Sequence, residues 1–148
     1  MMAYGDKLSG LKQYSRNRLE SEIETASPHR LVQMLMEGVL EKVAKAKGCM
    51  QQGDVQLKGA HVNWAVSILQ GLQVSLDKER GGEIAVHLDE LYDYMMRRLA
   101  QAHHDNDPAM LDEVISLIRE IKSAWDAIPP ELHYGPEQQP APVVAGGR

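Results

Sequence analysis

The stretch Ser27 to Leu40, SPHRLVQMLMEGVL, constrains this chain more than any other. Ser27 is a strong helix N-cap, and Pro28 suits the first helical position, where its missing N–H is no loss. At ~100° per residue, Leu31, Val32, Met34, Leu35, Met36, Val39 and Leu40 cover most of the circumference of the helix that follows. Only Gln33, Glu37 and Glu41 mark a narrow polar stripe. Such a helix has more apolar surface than one neighbour can cover. It is either central in a bundle or divides its surface between a core and a ligand.

Reading outward from this hub, the first long helix runs from about Pro28 to Gln52, with Gly53 as its left-handed C-terminal residue. Asp54 caps a second helix, about Val55 to Lys78. Its polar stripe is Gln56, Asn63, Ser67, Gln70 and Asp77, and most of the rest is apolar. Gly81-Gly82 predicts the next turn. The third helix spans about Glu83 to His104, with Ile84, Leu88, Leu91, Met95, Leu99 and Ala102 as its apolar stripe. Asp107-Pro108 repeats the cap-then-proline signature. The fourth helix then extends to about Ile128, with Leu111, Val114, Ile115, Ile118, Ile121, Trp125 and Ile128 on one face. Helices of this length are rods of roughly 30–38 Å, and short links set consecutive helices antiparallel. The expected fold is therefore all-α, an antiparallel up-down-up-down four-helix bundle over residues 27–128.

The two ends read differently. In residues 1–26, Tyr4, Leu8, Leu11 and Tyr14 are spaced by four, three and three. They predict a short helix, about Ala3 to Asn17, that is too short to stand alone and packs on the bundle. Arg16 to Thr25 mixes charges and reads as a connector with room for a turn or two of helix. Residues 129–148 hold five of the chain's seven prolines. They cannot continue the helix and carry too little apolar content to pack, which predicts a disordered tail.

Composition narrows the function. The net charge of −5 argues against nucleic acid, which needs a basic stripe, and against an anionic membrane surface. No apolar run approaches the ~18 residues of a membrane span, and MMAYGDKLSG lacks the basic-then-apolar pattern of a signal peptide. The single cysteine, Cys49, permits no internal disulfide and fits a reducing cytoplasm. It reads as a small buried side chain rather than a reactive thiol. There is no Phe, and eight Met make the apolar set soft and adaptable.

Catalytic patterns are thin. A di-iron site needs Glu-x-x-His on two helices, and the chain has none. Glu83 and His87, four apart, suit a surface contact better than a metal; His103-His104 suit the helix C-terminus. Gly81-Gly82 joins helices and does not form a phosphate loop, and no Gly-x-Ser-x-Gly elbow occurs. The chain is expected to have no catalytic residues, no metal and no cofactor. The enzyme-like rival is a histidine phosphotransfer bundle using His61 or His87, with Lys58 and Gly59 near His61. A structural rival is a bundle that self-associates. What remains is excess apolar surface on the first two helices. It is either an extra-thick core or a groove for an amphipathic partner helix, covered by Leu8, Leu11 and Tyr14 until a partner displaces them.

Three stretches are similar to the flagellin-specific export chaperones of the FliS family: TASPHRLVQMLMEGVLEKVAKAKG at 25–48, ILQGLQVSLDKERGGEIAVHLDELYDYMMRRL at 68–99, and NDPAMLDEVISLIREIKSAWDAI at 106–128. The resemblance implies a cytoplasmic, non-enzymatic helical bundle. It implies binding of the disordered C-terminal segment of flagellin, prevention of premature polymerisation, and delivery to the flagellar type III export apparatus. A monomer or weak homodimer is the expected state. Tyr14 matches the N-terminal Tyr that lies over part of the flagellin surface in that family. The groove walls are then assigned to Leu31, Leu35, Ile68, Leu72 and Leu76, each of which also suits a core position. In LDELYDYMMRRL, one of Tyr92 and Tyr94 is expected at the core edge, and Asp93–Arg97 is expected as a solvated ion pair.

Overall fold

The computed structural model describes residues 16–133. The expected helix over Ala3–Asn17, with Leu8, Leu11 and Tyr14, lies essentially outside them, as does the tail beyond residue 133. The chain divides into two compact units, residues 1–31 with 129–148, and residues 32–128. The described residues are all-helical, with five α-helices and one short 3-10 turn.

In the first unit, residues 16–25 form α1. The connector expected there is helical throughout residues 16–25, among the described residues. Arg16–Glu20 and Arg18–Glu22 are spaced i,i+4, which supports a helix even where nothing is buried. The hydroxyl of Thr25 finishes it by donating to the carbonyl of Ser21 at 3.0 Å. A second feature of this unit is a face-to-face stack of His29 and His133, ring centres 3.7 Å apart, with the His29 N–H donating to the His133 carbonyl at 3.1 Å. His133 follows the 3-10 turn Pro130–Leu132.

Helix α2 spans Pro28–Gln52, the bounds expected from the sequence. The Ser27 hydroxyl accepts from the Arg30 N–H at 3.1 Å. At the other end Gly53 sits at φ 76°. Its N–H donates to the Met50 carbonyl and that of Asp54 to the Cys49 carbonyl, the paired bonds of a Schellman ending. Asp54 immediately caps α3 (Val55–Val74), accepting from the Leu57 N–H at 3.0 Å.

The next turn differs from expectation. Helix α3 stops at Val74, and α4 runs from Lys78 to Asp105. Asp77 ends no polar stripe; it caps α4, accepting from the Arg80 N–H at 3.1 Å. The Gly81-Gly82 pair is a kink within α4: Gly82 adopts φ 53°, ψ −131°, a conformation open only to glycine. The kink resets the register. Ile84, expected in the core stripe, is 72% exposed, and Ala85 takes the inward position at 3%. Asn106, at φ 53°, ends α4 in the left-handed conformation. Asp107 then caps α5 (Pro108–Asp126), accepting from the Ala109 N–H at 2.9 Å. Helix α5 stops at Asp126, two residues short of the expected Ile128, because Pro129 disfavours helical backbone at the residue before it.

One core joins α2–α5. Helix α2 contributes Met36, Val39, Val43, Ala46 and Met50, alternating three and four apart. Val62, Ala65, Leu69 and Leu72 come from α3, Tyr92, Met95, Leu99 and Ala102 from α4, and Leu111, Val114 and Ile118 from α5. Burial of the larger of these side chains contributes about 1.5–3 kcal/mol each. Polar contacts tie the flanks. Gln33 donates to Asp126 at 2.7 Å and Lys47 to Asp112 at 2.8 Å, stitching α2 to α5. Gln73 donates to the Asp93 carboxylate at 2.8 Å, stitching α3 to α4.

Candidate functional site

Within residues 32–128 the core stripe of α2 is flanked by half-buried Val32, Met34, Leu35 and Leu40, while the closest backbone packing is that of α4 against α3 and α5. On one flank, α2 meets α3 at Gly38. A Cβ at this position would lie 3.1 Å from Cδ1 of Ile68, so the glycine lets Ile68 rest almost on the α2 backbone. Leu35 and Ile68 both pack on the edge of the core while remaining partly exposed.

Further along this seam, the apolar surface opens. Leu57, Trp64 and Ile68 are seven and four apart, hence on one face of α3. Leu57 is 48% exposed and Trp64 60%. The Lys42 ammonium lies over the Trp64 ring, 4.6 Å from its centre. Beside it Lys45 donates to the Glu41 carboxylate at 2.8 Å. That bond, ahead of the charges of Lys45, Lys42 and His61, holds the Glu41 carboxyl below the usual range. The seam is thus an apolar strip with ammonium groups on one border.

The assigned wall residues fall in different places. Leu35 and Ile68 each edge the core while staying partly exposed, Ile68 against Gly38 of α2. Leu76 is partly buried against the core near the end of α3. Leu72, only 1% exposed, is a core side chain. Leu31 is partly buried and belongs to the unit of residues 1–31. Leu8, Leu11 and Tyr14 lie outside the described residues. Sequence reasoning missed Lys42 and Trp64 as a pair, although α2 and α3 had both been seen to carry surplus apolar surface. Neither residue shows its partner until the register between the helices is known.

The histidine rival loses its neighbour. Lys58, 3% exposed, points into the bundle, where its ammonium donates to the His103 carbonyl at 3.1 Å and the Asn106 side-chain oxygen at 2.9 Å. It caps the C-terminal end of α4 and is committed there. A cleft of about 420 Å³ beside it is lined by Cys49, Gly53, Lys58, His103 and Asn106 among others. Cys49 is buried, as expected. The α4–α5 seam carries a different cluster. The Tyr94 hydroxyl donates to Glu113, and Arg98 donates to the other carboxylate oxygen at 2.8 Å. The Tyr94 bond, then Arg98, lowers the Glu113 carboxyl, and the same bond raises the Tyr94 hydroxyl. Tyr92 is the core tyrosine, 2% exposed, its hydroxyl pushed up by burial. The expected Asp93–Arg97 ion pair is absent. Arg97 donates at 3.4 Å to the Asp93 backbone carbonyl, while the Asp93 carboxylate takes Gln73. Among the described residues no helix is long and apolar enough to cross a membrane, and no group of three or more His, Cys, Asp or Glu could hold a metal.

The described residues are thus all-helical, with a packed core and an apolar, lysine-bordered seam on their surface. The comparisons with known proteins give this chain a family. The model of the flagellar protein FliS matches residues 10–132. The chain is 50% identical over 123 residues to the flagellar secretion chaperone FliS of Vibrio cholerae, covering 83% of this chain and 90% of that protein. It is 43% identical over 127 residues to the Salmonella typhimurium protein of that name, 85% and 94% covered, and 33% identical over 106 residues to that of Bacillus subtilis, 72% and 78% covered. This chain belongs to the FliS family of flagellar secretion chaperones.

Proposed function

We propose that this chain is a cytoplasmic chaperone that binds the disordered C-terminal segment of flagellin, prevents its premature polymerisation and delivers it to the flagellar type III export apparatus. Residues 27–128 act as the antiparallel up-down-up-down bundle, with the N-terminal segment 1–26, through Leu8, Leu11 and Tyr14, as a removable cover. The protein works without cofactor, metal or catalytic residue. The observation that carries this reading is the α2/α3 seam, where Leu35, Ile68, Leu57 and Trp64 leave apolar area in water beside a complete core. A helical segment laid there withdraws that area at ~25 cal/mol per Å². Ordering the segment costs about 2–5 kcal/mol of the gain, which keeps capture reversible. Leu76 is the further wall residue proposed on residues 32–128, with Leu72 supporting it from the core; Leu31 and Tyr14 are proposed as additional partner contacts.

Calorimetric titration with a flagellin C-terminal peptide of about forty residues tests it. One-to-one binding with a negative heat-capacity change is expected. Ile68→Asp should abolish it while the far-ultraviolet dichroism stays helical. No heat at tens of micromolar peptide would refute the reading.

A further inference from the structure

We infer that Lys42 and Trp64 form a paired contact that selects partner helices carrying a carboxylate at the border of their apolar stripe, an inference that rests on the proposed binding of a flagellin segment at this seam. Two observations carry it. The first is the state of Lys42. Its ammonium lies on the indole face, 4.6 Å from the ring centre, and no carboxylate stands within ion-pair distance of it. Every other lysine of α2 is paired, Lys45 with Glu41 and Lys47 with Asp112, both at 2.8 Å. Lys42 rests instead on a π face, its charge felt by the adjacent Glu41 carboxyl, whose own ion pair is with Lys45.

The second observation is where this cation stands. Trp64 is 60% exposed and follows Leu57 by two helical turns along the seam that Leu35 and Ile68 continue. Locally there are two ammonium groups, Lys42 and Lys45, against the one carboxylate of Glu41, with His61 beside them. The border of the strip is therefore electropositive, although the protein is acidic. The indole offers a broad flat surface to an apolar side chain, and the stacked ammonium is held at the height of that surface. A helix lying along the strip brings its own stripe onto Leu57 and Trp64. A Glu or Asp at the stripe's edge, one turn along, meets Lys42. Apolar contact supplies adhesion; the carboxylate fixes register and direction along the strip.

The test uses the full chain and the flagellin C-terminal peptide, with a second peptide in which every Asp and Glu is replaced by Asn or Gln. Lys42→Met keeps the aliphatic stem and removes the charge; Trp64→Phe removes most of the platform. Both sites are at least partly exposed, and helicity by circular dichroism checks that the variants fold. The expected result is that Lys42→Met weakens binding of the acidic peptide about five- to tenfold and flattens its dependence on salt. The neutralised peptide should bind wild type and Lys42→Met alike. The Trp64 emission should shift to the blue on binding, against a Trp125 signal unchanged in Trp64→Phe. Equal affinity of Lys42→Met and wild type for the acidic peptide, or loss in Lys42→Met that persists with the neutralised peptide, overturns the inference while leaving flagellin binding intact. Failure of wild type to bind either peptide refutes the functional reading itself.

Discussion

Lys58 and Gly38 show how single residues fix the geometry around the seam. The Lys58 ammonium is 3% exposed and answers two oxygens at the end of α4. Replacing it by Met takes the donor from two part-buried oxygens, a cost of about 1 kcal/mol expected as a lower urea midpoint. Gly38 acts through what it lacks. Gly38→Ala puts a methyl 3.1 Å from Ile68 Cδ1, a contact tight enough to push the isoleucine aside and change peptide affinity. Neither role was legible in the sequence. Lys58 read as a companion of His61, and Gly38 as one position in a long apolar helix, because burial direction depends on neighbours that are distant in the chain. Caps were another matter. Ser27, Asp54 and Asp107 each do at their own helix start what the sequence predicted, since a cap closes a bond only two or three residues away.

Among the elements, α4 departs most from what its sequence suggested. A glycine pair usually signals a break between helices, and here Asp77 takes over the start of the helix four residues earlier. The outcome follows from competition between an N-cap and a glycine pair, and only packing against α3 and α5 decides it. Gly82→Ala should destabilise by about 1–3 kcal/mol, because φ 53° with ψ −131° strains any L side chain. Thermal denaturation measures it, and Gly48→Ala, in helical backbone with open space around it, is the control. The remaining apolar stripes were readable because helix period alone sets them; Ile84 was misplaced because the kink interrupts that period. The partner surface was readable only as surplus apolar area on α2 and α3, and its residues emerged once the two helices were set side by side.

At the scale of the whole molecule, stability should depend on acidity through the α4–α5 seam. Glu113, whose ordinary value is 4.5, is lowered first by Tyr94 and then by Arg98. The folded protein takes up this proton less readily than the unfolded chain. Its carboxylate therefore favours folding above about pH 4.5, and that contribution disappears as pH falls through the lowered value. Glu41 and Asp105 are lowered as well and act in the same direction. Urea midpoints from pH 7 to pH 3 should fall less steeply in Glu113→Gln than in wild type.

The buried amine of Lys58 has one more consequence. Amine-reactive reagents acylate free amino groups, and this one is reachable only when the junction of α3 with the end of α4 comes apart. Its labelling rate, read by mass spectrometry against the surface lysines of the same molecule, is an internal clock for that opening. A cargo that grips the outside of the helices without prying them apart would leave the clock's pace unchanged or slow it. A cargo that inserts between them would make it run fast.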